Sequence, residues 1–179
     1  MLDYLVVGLG LAGTSFCETL RRNGKSFHVI TDRSQTSSRV AGGLLNPVIL
    51  KRFTLSWMAD EQLPLAMEFY KGIEEFLNVK ILEKCSVLRK FVSVEEQNLW
   101  FEATDKLALT PYLDSKLIPN TSEVIKAPLG YGRVLETAIL DTEKMLQSYE
   151  KWLISQNRLQ LETFAYDDLK FNQDYIEYG

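Results

Sequence analysis

Histidine occurs once in this sequence, at His28, and cysteine twice, at Cys17 and Cys85, far apart in the chain. A Cys/His zinc site therefore lacks ligands, no metal site is expected, and any catalytic triad that needs histidine has only His28 to draw on. Two isolated thiols fit a reducing cytosol rather than a disulfide framework, which points to a cytoplasmic protein. No apolar run approaches the roughly 20 residues of a membrane helix. The opening Met1-Leu2-Asp3 leads straight into an apolar stretch, without the basic region of a signal peptide. Basic residues are scattered: 20 Lys and Arg stand against 24 Asp and Glu, for a net charge of −4. Without a basic face, nucleic acid is disfavoured as the principal partner. Internal repeats and linker-like tracts are also absent.

What is present is a chain of 179 residues, 46% hydrophobic, enough to bury a real core. That length fits one globular domain, or one domain with part of a second. Tyr4 to Val7 reads as a buried parallel strand, being continuously apolar rather than alternating. Phe16, Cys17 and Leu20 recur at helical spacing up to the stop signal Asn23-Gly24. Phe27 to Ile30 is a second apolar strand, closed by Thr31-Asp32. Strand, glycine turn, helix and strand within about 30 residues make a βαβ unit.

Beyond it, Ser34 to Asn46-Pro47 reads as an irregular loop. A helix from about Asp60 to Leu77 carries Ala66, Phe69, Tyr70, Ile73 and Leu77 on one face. Lys80 to Ser93 suggests two short strands, around Ile81 and Phe91. Ser93-x-x-Glu96 is a capping box opening a short helix through Leu99, Trp100 and Ala103. Leu117 to Val134 reads as extended pieces with a hairpin around Gly130. Asp141 caps a helix whose Met145, Tyr149, Trp152 and Leu153 share a face. Strands at Leu159–Tyr166, Leu169–Asn172 and Tyr175–Tyr178 follow.

The strongest motif is Gly8-Leu9-Gly10-Leu11-Ala12-Gly13, a G-x-G-x-x-G between strand and helix. Gly8 permits the tight turn, Gly10 lets backbone approach a pyrophosphate, and Gly13 lets the helix pack on the strand. The helix end, from Leu11 and Ala12 on, offers N–H groups and a positive dipole to phosphates. An acid about 20 positions beyond Gly13 is expected to hold the ribose hydroxyls, and Asp32 stands there. The strict register falls on Thr31, so either the strand end slips by one or the Thr31 hydroxyl contributes. Asp32 as a solvated turn residue is the alternative.

Next comes Ser38-Arg39-Val40-Ala41-Gly42-Gly43-Leu44-Leu45-Asn46-Pro47. Here the sequence resembles the glycine oxidase and D-amino-acid oxidase family of FAD-dependent oxidoreductases. Gly8, Gly10 and Gly13 match that family's first motif, and Ser38, Ala41, Gly42 and Gly43 match the Ser-x-x-Ala-Gly-Gly segment that runs under its flavin. In outline the likeness spans the whole chain, but it is motif-specific only over the first 50 or so positions. It implies FAD as cofactor, a small-molecule amine or amino-acid substrate, and a full length about twice this one. The chain then corresponds to the N-terminal part of such a flavoprotein.

The expected fold class is α/β: a Rossmann-type FAD/NAD(P)-binding parallel sheet with the start of a smaller, more antiparallel substrate domain. Residues 1–78 and 141–179 would build the dinucleotide-binding domain, and 79–140 the partial substrate domain. Alternatives are a non-catalytic nucleotide-binding fragment, an NAD(P)-dependent dehydrogenase, or the oxidase-like half of a tRNA-modifying enzyme. Lys51-Arg52 could face an anion but reads better as solvated, His28 as a strand residue, and Trp57, Trp100 and Trp152 as packing residues.

Overall fold

A computed structural model describes residues 1–178. In chain order the elements are β1 (Tyr4–Val7), α1 (Leu11–Arg22), β2 (Phe27–Thr31), β3 (Leu44–Leu45), β4 (Val48–Ile49), β5 (Thr54–Leu55) and α2 (Ala59–Leu77). Then come β6 (Leu82–Lys90), α3 (Val94–Thr104), β7 (Tyr131–Leu140), α4 (Thr142–Ser155), β8 (Leu159–Leu161), β9 (Leu169–Phe171) and β10 (Ile176–Tyr178). The chain divides into two compact units. One is Met1–Ala41 with the described residues from Thr142 on, and the other is Gly42–Asp141.

The first unit holds a three-stranded parallel sheet in the order β1-β2-β8. Its strands are short and apolar, and β2 sits at the centre with Phe27, Val29 and Ile30 buried. Val6 and Leu9 add to this core from β1 and its turn, and helices α1 and α4 cover it with Cys17 and Leu20 from the first and Met145, Leu146, Tyr149 and Leu153 from the second. Burial pushes the Cys17 thiol up to about 12, so this cysteine serves as a small apolar residue. Two expected packing residues lie elsewhere. Phe16 is half-exposed and sets its ring edge-on against Tyr4 instead, and Trp152 is only half-buried, beside Tyr149. The β9–β10 hairpin closes the described chain, and β8 stops at Leu161, short of the expected Tyr166.

The second unit is antiparallel, a three-stranded sheet in the order β3-β7-β6 and the small β4–β5 hairpin. Two expectations change here. Lys80 to Ser93 forms one nine-residue strand rather than two short ones. Its partner β7 continues the extended stretch after Gly130 through to Leu140. Two β7 residues, Leu135 and Glu136, stand opposite the single Ser86, and Glu136 takes up φ 53°, the geometry of a bulge. Around Gly130 the chain makes a turn closed by its N–H on the Ala127 carbonyl, and Tyr131 then bridges back to Ile118. The core centres on Trp100, fully buried, edge-on to Phe53 and Phe91 and donating from Nε1 to the Asp114 carbonyl at 3.0 Å. Ser93 caps α3 as expected, its Oγ accepting from the Glu96 N–H at 3.1 Å. The Glu96 carboxylate reaches back to the Val92 N–H at 2.8 Å. Trp57, expected in a core, is instead 79% exposed.

The boundary at Ala41–Gly42 differs from the expected one at residue 78. The stretch 42–78 belongs with the second unit: β3 pairs with β7, Val48 and Phe53 join the core around Trp100, and the α2 residue Glu74 accepts backbone N–H bonds from Ile81 and Leu82, at 2.7 and 2.8 Å.

Between the two helices of the first unit lies a charge. Glu18 of α1 has a fully buried side chain. It accepts from Arg21 Nε and Nη2 at 2.7 and 2.8 Å, from Arg22 Nε at 2.7 Å, and from the Tyr149 hydroxyl of α4 at 3.4 Å. Burial alone would raise its pKa, but the bonds from Arg21 and Arg22 outweigh it and hold the carboxyl below its ordinary 4.5. A depressed pKa contributes stability that is fully present above the ordinary value and is lost as pH falls through the native one. Breaking such a pair leaves its cations uncompensated, and because both arginines reach solvent the cost sits near the low end, about 3 kcal/mol. Glu18→Gln should therefore lower unfolding free energy by about 3 kcal/mol at pH 7, with the gap to wild type narrowing below pH 4.5, both read from urea unfolding curves.

Candidate functional site

The carboxyl ends of all three parallel strands open onto one cavity of about 400 Å³. β1 contributes Val7 and the turn Gly8-Leu9-Gly10, β2 contributes Ile30 and Thr31, and the chain after β8 contributes Glu162, Thr163, Phe164 and Tyr166. The segment after β2, with Asp32, Arg33, Ser34, Gln35 and Arg39, completes the wall. Open α/β sheets bind their ligands in this place, outside the carboxyl ends of the strands.

The glycine motif is built as its spacing requires. Gly8 turns the chain at φ 91° while its N–H stays bonded to the Ile30 carbonyl at 2.8 Å. Gly10 is the residue before α1, in extended backbone, and offers no side-chain cap. Gly13 lies so close to the turn that a Cβ would stand 2.1 Å from the Gly8 carbonyl oxygen. Leu11 opens the helix, its N–H donating to Ser38 Oγ at 3.1 Å, and a Cβ on Gly10 would stand 3.0 Å from the same oxygen. Ser38 thus borders the cradle from the loop side. Ala12 is exposed in the first turn. Thr14, one position beyond Gly13, is buried and its hydroxyl has no hydrogen-bond partner.

Thr31 ends β2, paired with Leu161, and Asp32 is the first residue past the strand. The Asp32 carboxylate accepts from the Ser34 N–H at 2.9 Å and the Thr163 hydroxyl at 3.3 Å, and these bonds hold it below the ordinary carboxylate range. It is exposed, ionised and aimed by its own turn.

Gly8, Gly10, Thr31 and Asp32 therefore share one wall, with Leu11, Ala12, Gly13 and Ser38 at the adjoining helix end. Ala41 is exposed at the close of the first unit, and Gly42 and Gly43 open the second. A structural demand accounts for Gly43 there: φ is 62°, and a Cβ would meet the Leu140 carbonyl at 1.9 Å. Lys51 and Arg52 are exposed at the β4–β5 turn, and His28 is half-buried within β2. The sequence reading missed Arg33, Arg39, Glu162, Thr163, Phe164 and Tyr166. A strand expected to run to Tyr166 concealed that its true end faces this cavity. Among the described residues, no group of three or more His, Cys, Asp or Glu is placed to hold a metal ion, and no helix is long and apolar enough to cross a membrane.

No protein-family model matches the sequence. Solved structures share its fold. Glycine oxidase from Geobacillus kaustophilus matches with a TM-score of 0.65 at 14% identity, over 94% of this chain and 48% of that one. Iminodiacetate oxidase from Chelativorans sp. BNC1 matches at 0.63 and 15%, over 96% and 49%. L-amino acid deaminase from Proteus myxofaciens, solved with anthranilate, matches at 0.63 and 10%, over 89% and 37%. The chain thus has the mixed α/β fold found in these amino-acid oxidases and deaminases, and spans half of their length or less.

Gly13→Ala would drive a methyl group into the Gly8 carbonyl and force α1 off β1, a strain of about 3 kcal/mol. Its thermal midpoint should fall by several degrees in a calorimetric scan, and an unchanged midpoint would contradict this seating of the helix.

Proposed function

We propose that this chain is the dinucleotide-binding portion of an FAD-dependent oxidoreductase acting on an amine or amino acid. One observation carries the reading: a glycine turn, a helix N-terminus and an ionised acid at the second strand's end converge on a single cavity. The motif resemblance to the glycine oxidase and D-amino-acid oxidase family supports FAD over NAD(P), as does the fold shared with enzymes named for glycine, iminodiacetate and L-amino acids.

The residues fit the adenosine diphosphate half of FAD. Gly8 and Gly10 add no side chain of their own to the cradle, the α1 dipole offsets diphosphate charge, and Ala12 and Gly13 bring their N–H groups to that end beside the Leu11 N–H that Ser38 holds. The orphaned Thr14 hydroxyl is a polar group in that same first turn still lacking a partner. Ser38 would turn its hydroxyl toward phosphate, and Asp32, steadied by Ser34 and Thr163, would accept from the ribose hydroxyls, with Thr31 beside it. Ala41, Gly42 and Gly43 would pass close to the flavin end, as the resemblance implies. FAD, when bound, supplies the electron sink for oxidising a C–N bond. The protein's part is to orient the coenzyme and the substrate and to keep water from them. A dinucleotide-binding role for Met1–Ala41 with the chain from Thr142 on, a substrate role for the unit Gly42–Asp141 and a cytoplasmic location belong to the same reading.

Titration of the purified chain with FAD and with ADP, followed by flavin fluorescence and calorimetry, tests it. Both should bind and compete, and failure of both would refute the assignment. Gly10→Val should abolish binding by filling the space over the turn. Asp32→Ala should weaken it, because the carboxylate that would accept from the ribose hydroxyls is gone, and an unchanged Kd would remove Asp32 from the site.

A further inference from the structure

The loop between β2 and the end of the first stretch is tied to α4 at two points. Arg33, the residue after Asp32, donates to Glu150 Oε1 from Nε at 2.8 Å and also from Nη2. Arg39, the residue after Ser38, donates from Nη2 to Glu150 Oε2 at 2.7 Å and from Nη1 to Glu143 Oε1 at 3.3 Å. One carboxylate thus holds both ends of the loop, an oxygen for each arginine. That carboxylate is only 8% exposed. Exposed ion pairs contribute little, but a largely buried carboxylate engaged on both oxygens gives short, directional, charge-assisted bonds. The hold also acts on a conformation that needs support, because Arg33 sits at φ 59° without being glycine.

Both arginines line the strand-end cavity, whereas Glu150 stands outside its wall. Fixing Arg33 fixes its neighbour Asp32, and fixing Arg39 fixes its neighbour Ser38. We infer that Glu150 is a positioning residue for the coenzyme: from α4 it grips Arg33 and Arg39 and so pre-sets Asp32 and Ser38 against ribose and diphosphate. This rests on the dinucleotide reading above. A loop already in place spares the ligand the cost of ordering it.

Electrostatics alone points the other way. Removing a negative charge beside two arginines makes the loop more positive, which as a field would strengthen the binding of an anion. The sign of the change therefore separates positioning from charge.

The test uses ADP as probe on the full chain, with wild type and Glu150→Gln compared by calorimetric titration. Cleavage after Arg33 and Arg39 by trypsin, read by mass spectrometry without ADP, reports the loop itself. The variant should bind ADP about tenfold more weakly, as for a loop correctly placed a tenth of the time, and both arginines should be cut faster. In a Ser38→Ala background the loss from Glu150→Gln should shrink, because part of what the grip positions is gone. Unchanged or tighter ADP binding, strictly additive losses, or equal cleavage rates with ADP binding intact would each overturn the positioning role alone. If wild type binds no ADP, the dinucleotide reading and the positioning role fall together. Urea unfolding checks that the variant is folded. Should Glu150→Gln not fold, Glu150→Asp keeps the charge but shortens the reach to both arginines, and is read against the same outcomes.

Discussion

The first unit depends on a contact that allows no side chain. Where β1 gives way to α1, Gly13 comes so near the Gly8 carbonyl that any other residue would collide with backbone. This closeness lets a helix start directly above the end of a strand, so that its N-terminal dipole projects over the edge of the sheet. β2 and β8 run parallel to β1 and end on the same side. The cavity follows from that geometry and from no single residue's chemistry.

Two carboxylates that face inward from helices organise the polar parts of this unit, in different ways. Glu18 gathers Arg21 and Arg22 of its own helix and meets Tyr149 across the helix seam, so a charge is buried without being left unpaired. Glu150 gathers arginines from a loop instead. The first arrangement steadies helix packing, and the second steadies a cavity wall. Both place acids on helix faces that hydrophobic periodicity assigns to the core, which is why neither stood out in the sequence.

The βαβ beginning was legible because its signals are local: a continuous apolar run, glycines at fixed spacing, and a polar residue after the second strand. The Ser93 cap was legible for the same reason, and so was the covered face of α4. The long β6–β7 pair was harder to read. Its bulge at Leu135 and Glu136 shifts the alternation partway along, and five of the nine β6 residues are polar or charged. The cavity residues after β8 were hidden by distance. Only the pairing of Val29, Ile30 and Thr31 with Leu159, Gln160 and Leu161 brings them to the site. Trp57 departs from the rule that large aromatics are buried, and nothing in its neighbourhood of sequence announced that.

The second unit interrupts the first, and its two ends lie together: Leu44 pairs with Ile139, and the Leu140 N–H bonds to the Gly43 carbonyl at 2.9 Å. Closing a flexible loop of about 100 residues costs roughly 4 kcal/mol of chain entropy. Once β3 and β7 have paired, that cost has already been met, and Ala41 arrives beside Thr142, whose hydroxyl donates to its carbonyl at 3.3 Å. The distant strands β2 and β8 then meet as near neighbours along the chain. The inserted unit thereby lowers the entropy cost of bringing β2 and β8 together.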